Sequence, residues 1–485
     1  MNGSALLAAL PLIFASTAVW SEATDDGAAH LVEVFQTYLG ATEGVVAVEV
    51  DGDDYRLTID AAPLVALAVE AGGSASLTPM VMTLTDNGDG TWAVAQDQAL
   101  RLAFSIPGAV DVVEEVGSMT WEGVFDEALM TFTSGTGEMS DIKVAQTFSD
   151  PNSDPNSGQM AVEVSVASVT FDMTGGAGAT GGADNTVNMT MTGLTETITT
   201  PSAEGEPPIA VAVTLASLSE TVTMKGMRPD AIYKIMAWFV AHPSEDAMKA
   251  GKADMKSILQ AGLPLFEVMS ASGTATDLAV TSPIGLVSVA EIGFAIDLNG
   301  VVAEGKFREA ITLSGVTLPE GIIPPWAAPI LPQTFSIDVQ VTDFDPAAAA
   351  DLVLGLLTLP DGAEPDAGFD ETLLAALLPN KTVTIGLNPG ALSGDGYELT
   401  YEGAMVVGPQ SPIPTGTALI TLTGIEKLQA ALDAAPDDVK GQAMMGVGMA
   451  QGMAKPGANG ELVWEIDAST PGSLSVNGTP MMGGN

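Results

Sequence analysis

The chain has no cysteine, two histidines, and 15 basic residues against 61 acidic ones in 485. Without cysteine there is no disulfide, no thiolate nucleophile, no thiolate metal centre and no lipid-bearing thiol, so stability rests on packing alone. His30 and His242 are the whole imidazole supply, so any zinc site would take its ligands mostly from carboxylates. A formal charge of −46 repels nucleic acid and anionic membrane surfaces. No nucleic-acid partner is expected. Aromatic residues make up 5%, too few for the interfacial girdles of an outer-membrane barrel. No apolar run reaches the roughly 20 residues of a spanning helix, and no transmembrane anchor is expected.

Hydrophobic residues are nonetheless plentiful, at 46%. Acidic disordered chains are poor in such residues, so this one is expected to fold. The acidity reads as solubility or adaptation to a salty medium, with a cation-binding surface as the alternative. Residues 1–23 (MNGSALLAALPLIFASTAVWSEA) carry a short apolar stretch from Ala5 to Ala18, closed by small residues and followed by Thr24-Asp25-Asp26. That pattern is expected to be a signal peptide, although it lacks the usual Lys or Arg at its start. Export to the periplasm follows, with the extracellular space or cell surface as the alternative.

Beyond residue 23, Leu31, Phe35 and Leu39 recur at helical spacing and predict one amphipathic helix over Asp25–Leu39. Strands then dominate. Val45–Val50 with Tyr55–Ile59, and Val81–Thr85 with Thr91–Ala95, flank Asp- and Gly-rich turns and predict hairpins. Alternating segments continue at 129–133, 161–173, 187–191, 210–214 and 221–224, separated by Gly, Pro, Asn and Ser. Asp150–Gly158 and Gly175–Gly182 read as linkers or long hairpin ends.

A weak internal repeat organises the rest. Three times a strand ends in Lys or Thr, then Gly or Asp, then an apolar residue, and passes into a helix: Val222–Met227, Val339–Phe344 and Ile420–Ile425. An apolar sheet face must be covered, and this unit delivers a helix to cover it. The spacing of the copies is unequal, which excludes a solenoid. The expected fold is therefore α+β and β-rich: a large antiparallel meandering sheet with short helices on it, in two related halves. The expected regions are 24–316 and 333–485, joined by a Pro-rich connector over 317–332 whose Ile322, Ile323, Trp326 and Ile330 call for burial.

The C-terminal pattern Leu462-Val-Trp464-Glu-Ile466, then Gly472 to Pro480 (GSLSVNGTP), follows the third strand-to-helix unit. It resembles the ending of a family of bacterial exported proteins, domain of unknown function 2125. The resemblance covers most of residues 24–482 and implies an exported compartment and a β-rich architecture with interspersed short helices. It brings no catalytic residues.

Chemical signatures are sparse. Ser140-Asp-Ile-Lys143 has the S-x-x-K spacing of penicillin-recognising enzymes but sits among strand-type residues without companion motifs. There is no G-x-S-x-G elbow and no H-E-x-x-H. His242 precedes Pro243 at a predicted helix end, where an imidazole meets terminal carbonyls. The turns Asp51–Asp54 and Asp86–Asp89 lack the closing Glu of an EF-hand and read as solvated turns. Met445, Met449 and Met453 form a helical stripe, read as a compliant packing seam over a copper site. No catalytic, metal-ligating or cofactor-binding residue is assigned, and no cofactor is expected.

Ala348–Leu357 and Glu371–Leu378 are apolar around much of their circumference. Such helices either seal a sheet or line an acyl-chain groove. The leading reading is an exported, non-catalytic envelope protein that binds a lipid or other hydrophobic molecule, or scaffolds an envelope protein partner. The alternatives are a structural cell-surface protein without a small ligand, and a hydrolase with an unrecognised site.

Overall fold

The computed structural model describes residues 22–63, 73–149, 159–202, 206–360, 363–409 and 411–482. The expected signal peptide, apart from Glu22 and Ala23, and the 150–158 stretch lie outside the described residues. Antiparallel strand makes up 53% of the chain, and the described helices are eight and short. The sheet is therefore the scaffold of a β-rich α+β fold. Contacts divide the chain into two compact units, residues 1–269 with 354–363, and residues 270–353 with 364–485.

The first unit begins with α1 (Asp25–Leu39). Thr24 caps it, its Oγ1 accepting from the Gly27 N–H at 3.1 Å, and Asp25 and Asp26 complement the positive end of the helix. Leu31 and Phe35, one turn apart, are buried with Tyr55, Leu57, Leu84 and Phe125 in one hydrophobic core cluster. Beneath lie β1 (Val46–Asp51), β2 (Asp54–Ile59), β4 (Met80–Asp86) and β5 (Thr91–Ile106), paired antiparallel in that order, with the short β3 (Ser74–Leu77) also on β5. Both expected hairpins are present as β1–β2 and β4–β5.

From β5 the chain meanders through β6 (Val110–Asp126), β7 (Thr131–Phe148), β8 (Met160–Ala177), β9 (Ala183–Thr200) and β10 (Ile209–Met227), each strand paired with the next. These strands run 16 to 19 residues from β5 to β10. Three helices follow, α2 (Pro229–Ala241), α3 (Glu245–Ala250) and α4 (Lys252–Gly262). The division between the units falls inside β11 (Val268–Ser282).

The second unit repeats the scheme. β12 (Gly285–Asn299), β13 (Gly305–Thr317), β14 (Thr334–Phe344), β15 (Val383–Gly394), β16 (Tyr397–Gly408) and β17 (Ser411–Thr423) pair in sequence, and β17 then pairs with β19 (Leu462–Asp467). β18 (Lys455–Pro456) lies on β19, and β20 (Leu474–Val476) and β21 (Thr479–Met482) extend the ladder as a terminal hairpin. The remaining described helices are α5 (Pro346–Leu356), whose residues from Leu354 onward belong to the first unit, α6 (Phe369–Leu377), α7 (Ile425–Asp433) and α8 (Asp437–Met453). The Pro-rich segment 317–332 lies inside this unit instead of between halves. Its flanking strands pair directly, Leu313 opposite Phe335, and the Gly315 N–H donates to the Gln333 carbonyl at 2.9 Å.

All three strand-to-helix joints contain a left-handed residue at the repeat's Gly-or-Asp position: Gly226 (φ 60°), Asp343 (φ 67°) and Gly424 (φ 70°). That conformation costs glycine nothing and Asp little, which explains the residue choice. A Cβ at Gly424 would collide with the Gly396 carbonyl oxygen, so that joint is closed to larger residues.

Four aromatic residues cover glycines of a neighbouring strand. Trp121 lies over Gly135, Phe171 over Gly137, Phe344 over Gly305 and Tyr401 over Gly390, each where a Cβ would meet the ring. A ring on the neighbouring strand thus restores the burial that a missing side chain forfeits.

Candidate functional site

Register places the side chains of each ladder on two unlike faces, because successive residues of a strand point oppositely. In the first unit one face carries Leu100, Val116, Ile142 and Val166 in one row, and Phe104, Val112, Gln146, Val162, Ile198 and Val211 in another. Leu100, Val116 and Val166 are buried, whereas the second row is only half-buried. The other face carries Arg101, Glu115, Lys143, Ser165, Thr195 and Thr214. The second unit matches it. Ile292, Leu313, Phe335, Leu392, Leu399, Leu422 and Leu462 stand opposite one another across seven strands. Of that row Leu422 is buried and the rest are half-buried.

The polar face of the second unit holds its strongest charge cluster. Arg308 on β13 donates from Nε and Nη2 to Asp338 on β14, the latter at 2.8 Å, and from Nη1 to Asp297 on β12 at 2.8 Å. Asn388 Nδ2 donates to Asp338 Oδ1 at 2.8 Å. The guanidinium holds the Asp338 carboxyl below its ordinary range, and a hydrogen bond from Ser270, followed by Arg308, does the same for Asp297. Both carboxylates in turn raise the Arg308 pKa. Every strong group has a partner here, so the cluster clamps three strands. The sequence gives no sign of it, since its members lie 11 to 50 residues apart.

The histidines do not form a hydrolytic centre. His242 closes α2, stacked on Trp238 at 4.4 Å between ring centroids, with Nδ1 2.7 Å from the Trp238 carbonyl. A Cβ on Gly251 would lie 2.5 Å from its Nε2, so the ring is wedged between the helix end and the α3–α4 turn. This is the helix-end role its position predicts. His30 is exposed on α1 and its electrostatic neighbour is Glu127. Glu127 accepts from Trp92 Nε1 at 2.7 Å, and burial raises its pKa.

Ser140 and Lys143 lie three positions apart on the strand β7, with the left-handed Asp141 between them, and not one turn apart on a helix. Ser140 stands across from Ser118 and Ser168, while Lys143 stands across from Glu115 and Ser165. The penicillin-recognising geometry is absent. In the acidic turns, Asp51 pairs with Arg56 at 2.7 Å, Asp54 accepts from Thr85, and Asp89 accepts from both the backbone and the hydroxyl of Thr91. Among the described residues no three His, Asp or Glu side chains are grouped to hold a metal ion.

No protein-family model matches the sequence, and no curated protein matches it. Among solved structures, the crystal structure of the siderophore receptor PirA from Acinetobacter baumannii is similar over 76% of this chain, at 10% identity and a TM-score of 0.16. The chain spans 62% of the receptor's length. A likeness this slight carries no inference about fold or function.

Two of the three methionines of the stripe depart from the expected packing role, while Met453 is half-buried. Met445 and Met449 are 65% and 61% exposed, and the half-buried side of α8 is Ala443, Met444, Val447 and Ala450. Trp464 Nε1 donates to the Ala450 carbonyl at 2.9 Å, tying the helix to β19. Asn477, from the closing V-N-G turn, donates to the Met453 and Val463 carbonyls at 2.7 and 2.9 Å. The apolar helices α5 and α6 are likewise incompletely covered, with Val353 and Leu374 exposed and Leu354 buried. Among the described residues no helix is long and apolar enough to cross a membrane.

Proposed function

We propose that the chain is an exported, non-catalytic envelope protein, periplasmic and related to the domain of unknown function 2125 family, that binds a lipid or other hydrophobic molecule. One observation carries this reading: the second unit's row from Ile292 to Leu462 is apolar and continuous across seven strands, yet only its Leu422 is buried. A sealed core would bury such a row, as α1 buries Phe35 and Leu57. Unsealed apolar rows of this kind suit an acyl chain or comparable ligand.

Titration with a fluorescent fatty acid tests the proposal. Saturable binding is expected, weakened about tenfold by Leu392→Asp in a protein of unchanged circular dichroism. Absence of saturable binding overturns it.

The exposed Met445 and Met449 favour a second reading, a scaffold that presents α8 to a protein partner, because methionine-rich surfaces adapt to varied contacts. Loss of partner capture on changing both methionines to Ser, with fatty-acid binding intact, distinguishes the two.

A further inference from the structure

The second unit carries an apolar tip at one end of its ladder. The turn Pro283-Ile284 joins β11 to β12, and Ile284 is 74% exposed, with Leu286 at 48%. Beside it stand the end of β13 and the loop 318–332, tied by the Gly315–Gln333 hydrogen bond and by Tyr397 Oη donating to the Ile330 carbonyl at 2.8 Å. Hairpin and loop touch, since a Cβ on Gly285 would lie 2.6 Å from Pro319 Cβ. Val316 and Ile322 are 40% and 51% exposed, so Ile322 is not buried as its sequence context calls for.

Three properties select the occupant of this tip. Register puts Leu286 on the face of Ser288 and Thr317, and Val316 on the opposite face beside Val289, so the hairpin end carries an apolar side chain on each side. A one-sided protein partner would cover one face, whereas hydrocarbon surrounds an inserted tip completely. Charge is sparse: from Ala310 to Thr334 the only ionisable side chain is the exposed Glu320, in a chain of formal charge −46. No Lys or Arg lies there to draw an anionic headgroup. The prolines at 319, 324, 325, 329 and 332 and the tied loop ends hold the tip in shape.

We propose that this tip inserts end-on into the surface of an electrically neutral lipid bilayer, with Ile284, Leu286, Val316 and Ile322 as the inserted residues. The inference extends the hydrophobic-ligand reading from a bound molecule to a bilayer surface, through a different part of the chain.

Co-flotation of the full chain with vesicles of phosphatidylcholine alone, or of phosphatidylcholine with phosphatidylglycerol, tests it. The chain is expected to float with the neutral vesicles, to do so in high salt, and to bind the anionic mixture less. Ile284→Asp with Leu286→Asp is expected to lower partitioning at least about tenfold, while Ile209→Asp, at an exposed apolar site of the first unit, leaves it unchanged. Because the chain has no cysteine, Ile284→Cys carrying an environment-sensitive fluorophore gives a second readout that needs no disruptive change. Its emission is expected to shift to the blue on adding neutral vesicles. Failure to float, equal partitioning of the double variant, or an unshifted label each overturns the proposal. So does loss of self-association in the double variant with flotation retained, which would make the tip a protein contact. A chain that binds fatty acid but does not float keeps the ligand reading and loses this one.

Discussion

The Trp121 indole on β6 covers Gly135 on β7, so closely that a Cβ there would enter the ring, and the same indole stacks on Phe171 of β8 at 5.3 Å. One aromatic residue thereby joins three strands. Gly135→Val is expected to lower stability by about 1–3 kcal/mol through overpacking. Gly446, in α8, meets nothing within 4 Å of an added Cβ. Gly446→Ala is expected to raise stability by about 0.5–1 kcal/mol, because it removes backbone freedom from the unfolded chain without a clash. Urea unfolding midpoints of the two variants should move in opposite directions.

The Arg308 clamp makes a prediction about acid. Asp338 has its folded pKa held below the unfolded value of about 3.9. Its stabilisation is therefore complete above that unfolded value and is lost as pH falls through the lower, folded one. Asp338→Asn should be less stable than the parent at neutral pH, and the gap should close in strong acid. Arg308→Lys should not restore what Arg308→Met removes, since an ammonium cannot supply the paired Nε and Nη2 donors. Unfolding at stepped pH checks both expectations.

Glu127 has the opposite sign. Burial raises its folded pKa, so the folded state holds the proton more tightly and stability falls as pH rises from about 4.3, the unfolded value, through the folded one. Glu127→Gln keeps a carbonyl acceptor for Trp92 Nε1 and removes the charge. It should be at least as stable as the parent at neutral pH, with a flatter pH profile in the acid range.

The exposed methionines predict an order of oxidation. Met445 and Met449 should form sulfoxides in dilute peroxide well before Met82 and Met119, which are 5% and 8% exposed. Peptide mapping over time measures the order; early oxidation of Met82 would place the core elsewhere.

How far the fold was legible follows from the range of each signal. The helix Asp25–Leu39, both Asp- and Gly-rich hairpins and the three strand-to-helix joints rest on neighbouring residues, and each occurs in the structure. The joints are the clearest case, because Gly226, Asp343 and Gly424 are the residue types that tolerate a left-handed backbone. Long-range features were not legible. The Pro-rich segment reads as a connector only until β13 and β14 are seen to pair across it. The Arg308 clamp needs a register that no local pattern gives. Met445 and Met449 fit a packing seam by spacing, but it is Ala443, Val447 and Ala450, on another side of the helix, that are half-buried. The apolar rows lie between these extremes, since alternation is visible in each strand and only the ladder shows the rows aligned.

Native mass spectrometry of the full-length protein purified from its own cell envelope, paired with lipid extraction, tests the central claim most directly. The account predicts a stoichiometric lipid or other apolar adduct, depleted in Leu392→Asp. A clean apo mass for the parent, from a preparation in which an added fatty acid also fails to bind, would contradict it.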